Sequence, residues 1–122
     1  MPDTRHLSPF PLVIQASPRP GGNSDTAART FARGIEIAGG RARKFELCQR
    51  KLGPCLGCNK CEKTGQCVQA DKDDVQETLE RFMSAPMICI ASPIYLYHLP
   101  AQFKALIGRC QVMYMRKLAG DE

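Results

Sequence analysis

Short apolar runs alternate in this chain with stretches whose apolar residues return every three or four positions, and glycine and proline punctuate the boundaries between them. Phe10 to Ala16, with Leu12-Val13-Ile14 at its centre, reads as a buried strand that ends in the polar, glycine-rich loop Ser17-Pro18-Arg19-Pro20-Gly21-Gly22-Asn23-Ser24. Asn23 or Ser24 suits the cap of a helix reaching about Ala38, with Ala27, Ala28, Phe31, Ala32 and Ile35 on one stripe and Gly39-Gly40 closing it. Ala42 to Cys48 alternates in polarity, which predicts a second strand less buried than the first. Asp71 or Asp73 suits the cap of the next helix, where Val75, Leu79 and Phe82 recur at steps of four and three; Pro86 then opens a third strand through Met87-Ile88-Cys89-Ile90-Ala91. After a loop over Ser92 to Leu99, Pro100 fits the first turn of a last helix that carries Phe103, Leu106, Ile107, Cys110 and Met113 inward.

Strands that alternate with helices predict an α/β fold with a parallel, doubly wound sheet, because parallel strands need crossover connections. Ligands of such sheets bind beyond the carboxyl ends of the strands, and both the Ser17 and the Ser92 loops fall there. Residues 1 to 9 carry two prolines and no apolar period, so they read as a loose arm; residues 10 to 122 form one domain, with a cysteine-loop insertion at 54–70. No GxGxxG or GxxxxGKS/T stretch is present, so the dinucleotide and nucleoside-triphosphate fingerprints are missing.

The 122 residues suffice for one core. Seven cysteines, an odd number, the lack of a charged and then apolar leader, and the lack of any apolar run near about 18 residues disfavour secretion and membrane spanning, so the cytoplasm is expected. The net charge of +5 comes partly from Arg41, Arg43, Lys44, Arg50 and Lys51. That cluster reads first as a solvated face, and otherwise as an attractor for an acidic electron-transfer partner or a phosphate. Nucleic acid is not expected, since there is no helix-turn-helix or zinc-finger spacing and no basic stretch interleaved with aromatics.

The chemistry concentrates in Cys55, Cys58, Cys61 and Cys67, separated by two, two and five residues. Three close thiolates and a fourth brought in by a glycine-containing loop suit an iron-sulfur cluster. Zinc also takes four thiolates but usually from two separated pairs, and redox or disulfide chemistry or a purely structural loop stay open. Cys48, Cys89 and Cys110 lie among apolar residues and read as small buried hydrophobes. The Ser17 to Ser24 loop offers hydroxyls, an amide, an arginine and backbone N–H groups beside a helix amino terminus, where an FMN phosphate would fit and a long capping turn is the plain alternative. The Ser92 to Tyr97 loop has aromatic and backbone groups that would lie against an isoalloxazine ring, or simply pack.

Ser17 to Ser24, the cysteine loop, Ala91-Ser92-Pro93-Ile94-Tyr95, Pro100-Ala101-Gln102-Phe103-Lys104 and Gly108-Arg109 follow one another as in NADPH-dependent FMN reductase-like flavoproteins, and the cysteine spacing resembles their iron-sulfur flavoprotein branch. The resemblance covers about residues 10 to 118. It implies a flavodoxin-like fold, noncovalent FMN, a 4Fe-4S cluster and a homodimer or homotetramer with the cluster near flavin at an interface. By the same resemblance Ser17, Arg19, Asn23 and Ser24 fall where the family grips the FMN phosphate. Pro93, Ile94 and Tyr95 fall where it cradles the ring, and Cys55, Cys58, Cys61 and Cys67 fall on the cluster ligands.

Two departures stand out. Gly108 replaces a frequent aspartate, and about three strands are found where a complete flavodoxin-like domain has five, so the fold is expected to be truncated or to recruit another chain. The first functional expectation is an oxidoreductase that passes electrons between a carrier such as ferredoxin, the cluster and FMN, and on to a small-molecule acceptor. The alternatives are an NAD(P)H-dependent FMN or quinone reductase without a cluster and a non-catalytic zinc-binding module.

Overall fold

The computed structural model describes residues 9–120, so the arm expected over residues 1 to 9 lies, apart from Pro9, outside the described residues. Strand β1 (Leu12–Gln15) is buried along its whole length. It owes this to its place at the centre of a three-stranded sheet of order β2-β1-β3, with β2 (Arg43–Glu46) and β3 (Ile88–Ala91) both parallel to it. Ile14 stands opposite Phe45 on one side and Ile90 on the other. A strand covered on both faces has no solvated positions to alternate with, which is why its sequence is a continuous apolar run.

Side chains of β1 point alternately to the two faces. Leu12, Ile14 and Ala16 join Phe45, Leu47, Val75, Leu79, Phe103 and Leu106 in the main core, under helices α3 (Val75–Ser84) and α4 (Ala101–Arg109). Val13, fully buried, turns to the opposite face, where α1 (Asn23–Ile37) lies against all three strands. This is the doubly wound arrangement read from the sequence, with three strands in the sheet.

The boundaries differ for physical reasons. The second strand stops at Glu46, because Leu47–Gln49 tightens into a 3-10 turn that sinks Leu47 into the core. Helix α1 is preceded by Gly22 at the N-cap position rather than by Asn23 or Ser24, and no side chain caps it. Its inward stripe runs through Asp25, Ala28, Ala32 and Ile35, leaving Ala27 exposed and Phe31 42% exposed. Asp25 can occupy that stripe because Gly21 and Lys44 satisfy its carboxylate. At α3 the N-cap position belongs to Asp74, not to Asp71 or Asp73, although Asp73 Oδ1 accepts the Val75 N–H at 3.2 Å. The last helix is broken at Cys110 into α4 and α5 (Gln111–Leu118), and Ile107 faces outward. One short helix was not expected: α2 (Lys60–Thr64), inside the cysteine loop, bounded by the left-handed residues Asn59 and Gly65.

Among the described residues β3 pairs with β1 alone, and its Ile88 and Ile90 are 40% and 47% exposed. No helix of the described residues is long and apolar enough to cross a membrane. The basic cluster is only in part a solvated face. Lys44 pairs with Asp25 and with Glu46, at 2.9 Å from the latter, and the guanidinium groups of Arg43 and Arg50 lie over the rings of Phe10 and Phe45.

Candidate functional site

Because all three strands run the same way, the segments that follow them emerge at one end of the sheet. The first, after β1, is fixed from beneath by buried Gln15, whose amide donates to the Ser17 carbonyl at 3.2 Å and accepts the Ser17 N–H. Ser17 Oγ accepts the Arg19 N–H at 3.1 Å. Gly21, at φ 75°, turns its N–H onto Asp25 Oδ2 at 2.8 Å. The hydrogen bond from Lys44, then that from Gly21, hold the Asp25 carboxyl below its ordinary value. A Cβ on Gly22 would stand 3.3 Å from Arg19 Nε, so glycine lets the guanidinium lie close over the backbone at the start of α1. An uncapped helix amino terminus with an arginine across it is a setting for an anion. Asn23 is exposed and Ser24 half-buried in this first turn.

Beyond β3, Ser92 Oγ donates to the Pro93 carbonyl at 2.9 Å, and Tyr95 and His98 exchange backbone hydrogen bonds of 2.7 and 2.9 Å. The two residues between them, Leu96 at φ 46° and Tyr97 at φ 66°, are left-handed without being glycine, a conformation that costs energy for an L side chain. Pro93 is half-buried, while Ile94, Leu96 and Tyr97 stand largely in water and Tyr95 is about half exposed. An apolar shelf therefore tops this end of the sheet.

The cysteine loop is closed at its base by three sets of contacts. Lys51 and Asp74 are joined twice, Asp74 N–H to the Lys51 carbonyl at 2.8 Å and Lys51 N–H to Asp74 Oδ2 at 2.7 Å. The Gln69 side chain donates to the Pro54 carbonyl at 3.1 Å. Between them sits a buried ion pair: Arg109 Nη1 reaches Asp73 Oδ2 at 2.6 Å and the Gly53 carbonyl at 3.0 Å, while Arg109 Nη2 reaches Asp73 Oδ1 at 3.3 Å. Gly53 returns its N–H to Asp73 Oδ2 at 3.2 Å. At the far end α2 packs on α5, and Arg116 donates to the Gly65 carbonyl.

Inside this frame Cys55, Cys58, Cys61 and Cys67 line one pocket, shared with Leu56, Asn59 and Arg109. Cys55 and Cys58 are exposed, Cys61 and Cys67 half-buried, and all are free thiols. Gly57, at φ 68°, points its N–H at the Cys55 sulfur at 3.4 Å. Among the described residues no group of three or more His, Cys, Asp or Glu side chains is gathered closely enough to hold a metal ion. Cys48 and Cys110 instead donate to carbonyls of Ala16 and Leu106, and burial pushes both thiols up, as expected of inert small hydrophobes.

The structure thus brings the four cysteines together on one pocket and places the Ser17 and Ser92 loops at the same end of the sheet. Sequence reasoning did not anticipate the Gly53-Asp73-Arg109 network. Burial disfavours the charged forms of both side chains, but their mutual hydrogen bonds and attraction win, holding the Asp73 carboxyl low and the guanidinium high. A signal was available, since Arg109 continues the three-residue spacing of Phe103 and Leu106 and so falls on the apolar face of its helix.

Comparison with known proteins gives a match to the family model of NADPH-dependent FMN reductase over residues 12–120. An iron-sulfur flavoprotein of Methanocaldococcus jannaschii is 36% identical over 98 residues, which cover 80% of this chain and 50% of that protein. Iron-sulfur flavoproteins of Archaeoglobus fulgidus and Methanosarcina thermophila are each 31% identical, over 79% and 87% of this chain and 43% and 54% of their own lengths. The chain spans about half the length of these curated relatives. No solved structure gives a significant match.

Proposed function

The chain belongs to the NADPH-dependent FMN reductase family, in its iron-sulfur flavoprotein branch, and from that premise we propose that it works as an electron-transfer oxidoreductase carrying FMN and a 4Fe-4S cluster. The observation that carries this reading is the lining of a single pocket by Cys55, Cys58, Cys61 and Cys67, at the base-clamped loop beside the sheet. Three close cysteines with a fourth five residues on suit a polynuclear cluster, which takes one thiolate per iron, better than a zinc, whose structural sites usually draw on two separated pairs. When bound, the cluster supplies one-electron exchange and FMN supplies storage of two electrons.

The chain's own residues act as holders. Ser17, Arg19, Asn23 and Ser24 receive the FMN phosphate at the uncapped start of α1, where Arg19 already lies over Gly22. Pro93, Ile94 and Tyr95 present the apolar shelf to the ring. Gly57 leaves room for its N–H to approach sulfur, which favours the more negative, reduced state. No side chain has to give or take a proton in this scheme.

The electron donor in this reading is a carrier such as ferredoxin, or NAD(P)H, and the acceptor is a small molecule. The half-exposed Ile88 and Ile90 on the outer strand support assembly as a homodimer or homotetramer, with a neighbour covering that edge. Free thiols throughout fit a reducing cytoplasm. The alternatives differ in what the thiols hold: nothing, in an NAD(P)H-dependent flavin reductase, or zinc.

Anaerobic purification followed by iron, sulfide and flavin analysis tests the reading. Four irons with matching sulfide and a dithionite-bleached shoulder beside the flavin bands are the expected result, and Cys58→Ser should remove the cluster while retaining FMN. A plain flavin spectrum, or zinc without sulfide, would overturn it. So would iron and sulfide unchanged in Cys58→Ser, as far as the ligand assignment goes.

A further inference from the structure

Arg109 makes more of its surroundings than a buried ion pair needs. Its side chain is only 2% exposed, and that of Asp73 5%. Nη1 uses both its hydrogens, on Asp73 and on the Gly53 carbonyl that leads into Pro54 and Cys55, and Nη2 uses one of its two on Asp73. Nε is also buried, yet no described group accepts its N–H. A buried donor without an acceptor costs on the order of 1–3 kcal/mol, more when it belongs to a charged group, so the arrangement asks for an acceptor. Arg109 lines the cysteine pocket together with Cys67. The fork of contacts to Asp73 and Gly53 fixes the plane of the guanidinium, and with it the direction of the buried Nε–H.

We propose that Arg109 is a positioning residue of the cysteine pocket, whose Nε–H donates a hydrogen bond to the sulfur of the group held there, on the Cys67 side. This rests on the reading of the pocket as an iron-sulfur site. A donor and a positive charge beside the sulfur stabilise the form carrying one more electron, so Arg109 raises the reduction potential and slows loss of iron. Asp73 acts through Arg109: it neutralises the buried cation and holds its plane, and the Gly53 carbonyl ties that plane to the backbone just before Cys55.

The test compares the anaerobically purified wild-type chain with three variants. Arg109→Lys keeps a cation against Asp73 and loses the directed Nε–H. The pair Arg109→Gln with Asp73→Asn removes both charges together, which avoids leaving one buried and unpaired if the single variant fails to fold. Arg116→Lys loosens the same loop at Gly65, at an arginine whose Nε already has its acceptor, and so reports loop anchoring alone.

Redox titration followed by electron paramagnetic resonance should give a lower midpoint potential in both Arg109 variants and an unchanged one in Arg116→Lys. Iron release to a chelator should be about 10- to 100-fold faster in the Arg109 variants, the usual cost of losing a group that orients a metal's ligands. Equal potentials in wild type and the double variant would overturn the proposal while leaving the cluster reading intact. Equal shifts in the Arg109 and Arg116 variants would reduce Arg109 to a structural anchor. A wild-type protein without iron and sulfide would bring down both readings.

Discussion

The cysteine loop and the Ser92 to Leu99 loop leave the same end of the sheet, yet they are built on opposite principles. The first is closed by backbone and side-chain contacts at Lys51 and Asp74, Pro54 and Gln69, and Gly53, Asp73 and Arg109, so its base is set by its own chain. The second is held at its tip by one reciprocal backbone pair, Tyr95 with His98, and keeps two non-glycine residues left-handed with apolar side chains in water. A centre bound through several thiolates tolerates little error in their positions, and a clamped loop answers that demand. A flat apolar surface needs contact area more than angular accuracy, and a shelf with an exposed tip offers that. Strain at such a tip persists only where surrounding structure or function maintains it.

The sharpest way to break the contrast is Asp73→Ala. It leaves the Arg109 charge buried without its carboxylate, and removing one partner of a buried pair costs about 3–5 kcal/mol. Urea unfolding should show a loss of that size, with amide exchange at the base of the cysteine loop rising more than at Tyr95 and His98. A loss below about 1 kcal/mol would mean that the loop does not depend on its clamp.

Acid is the milder version of the same perturbation. The carboxyl groups of Asp25 and Asp73 lie below their ordinary 3.8 in the folded chain. As the pH falls through that value the unfolded chain takes up protons first, so stability present above it is lost progressively as the pH drops toward the folded values. Denaturant midpoints measured from pH 6 downward should therefore fall below pH 4, and Asp73→Asn should flatten part of that slope. A slope identical in the variant would assign the acid sensitivity elsewhere.

The smallest effect is expected on the other loop. Tyr97 is 92% exposed, so Tyr97→Gly loses little packing and relieves a left-handed residue. Set against the flexibility that glycine adds to the unfolded chain, a gain of up to about 1 kcal/mol is expected, read as a higher melting temperature. Destabilisation would show that the turn is not strained.

What could be read from sequence divides along the same physical line. Elements defined by long-range burial of apolar residues were readable: the Leu12-Val13-Ile14 run marked a buried strand, and Phe103 and Leu106 the inward face of α4. Elements defined by polar satisfaction were not. Asp25 was passed over in reading α1, and its partner Lys44 looked like part of a solvated run, because their pairing depends on where β2 lies against α1. The cysteine spacing marked four residues that line one pocket, and the resemblance put the candidate phosphate and ring residues on loops that leave one end of the sheet. It gave no notice of α2 within the cysteine loop or of the break at Cys110, both of which follow from how the loop folds back on α5.

Helix α4 begins directly after the Ser92 to Leu99 loop and ends at Arg109, on the wall of the cysteine pocket. Nine helical residues at about 1.5 Å each make a strut of about 13 Å whose two ends belong to the two loops. Buried on one side by Phe103 and Leu106 and fastened at its far end to Asp73, the strut acts as a ruler: it sets the spacing between the foot of the Ser92 to Leu99 loop and the Arg109 wall of the cysteine pocket.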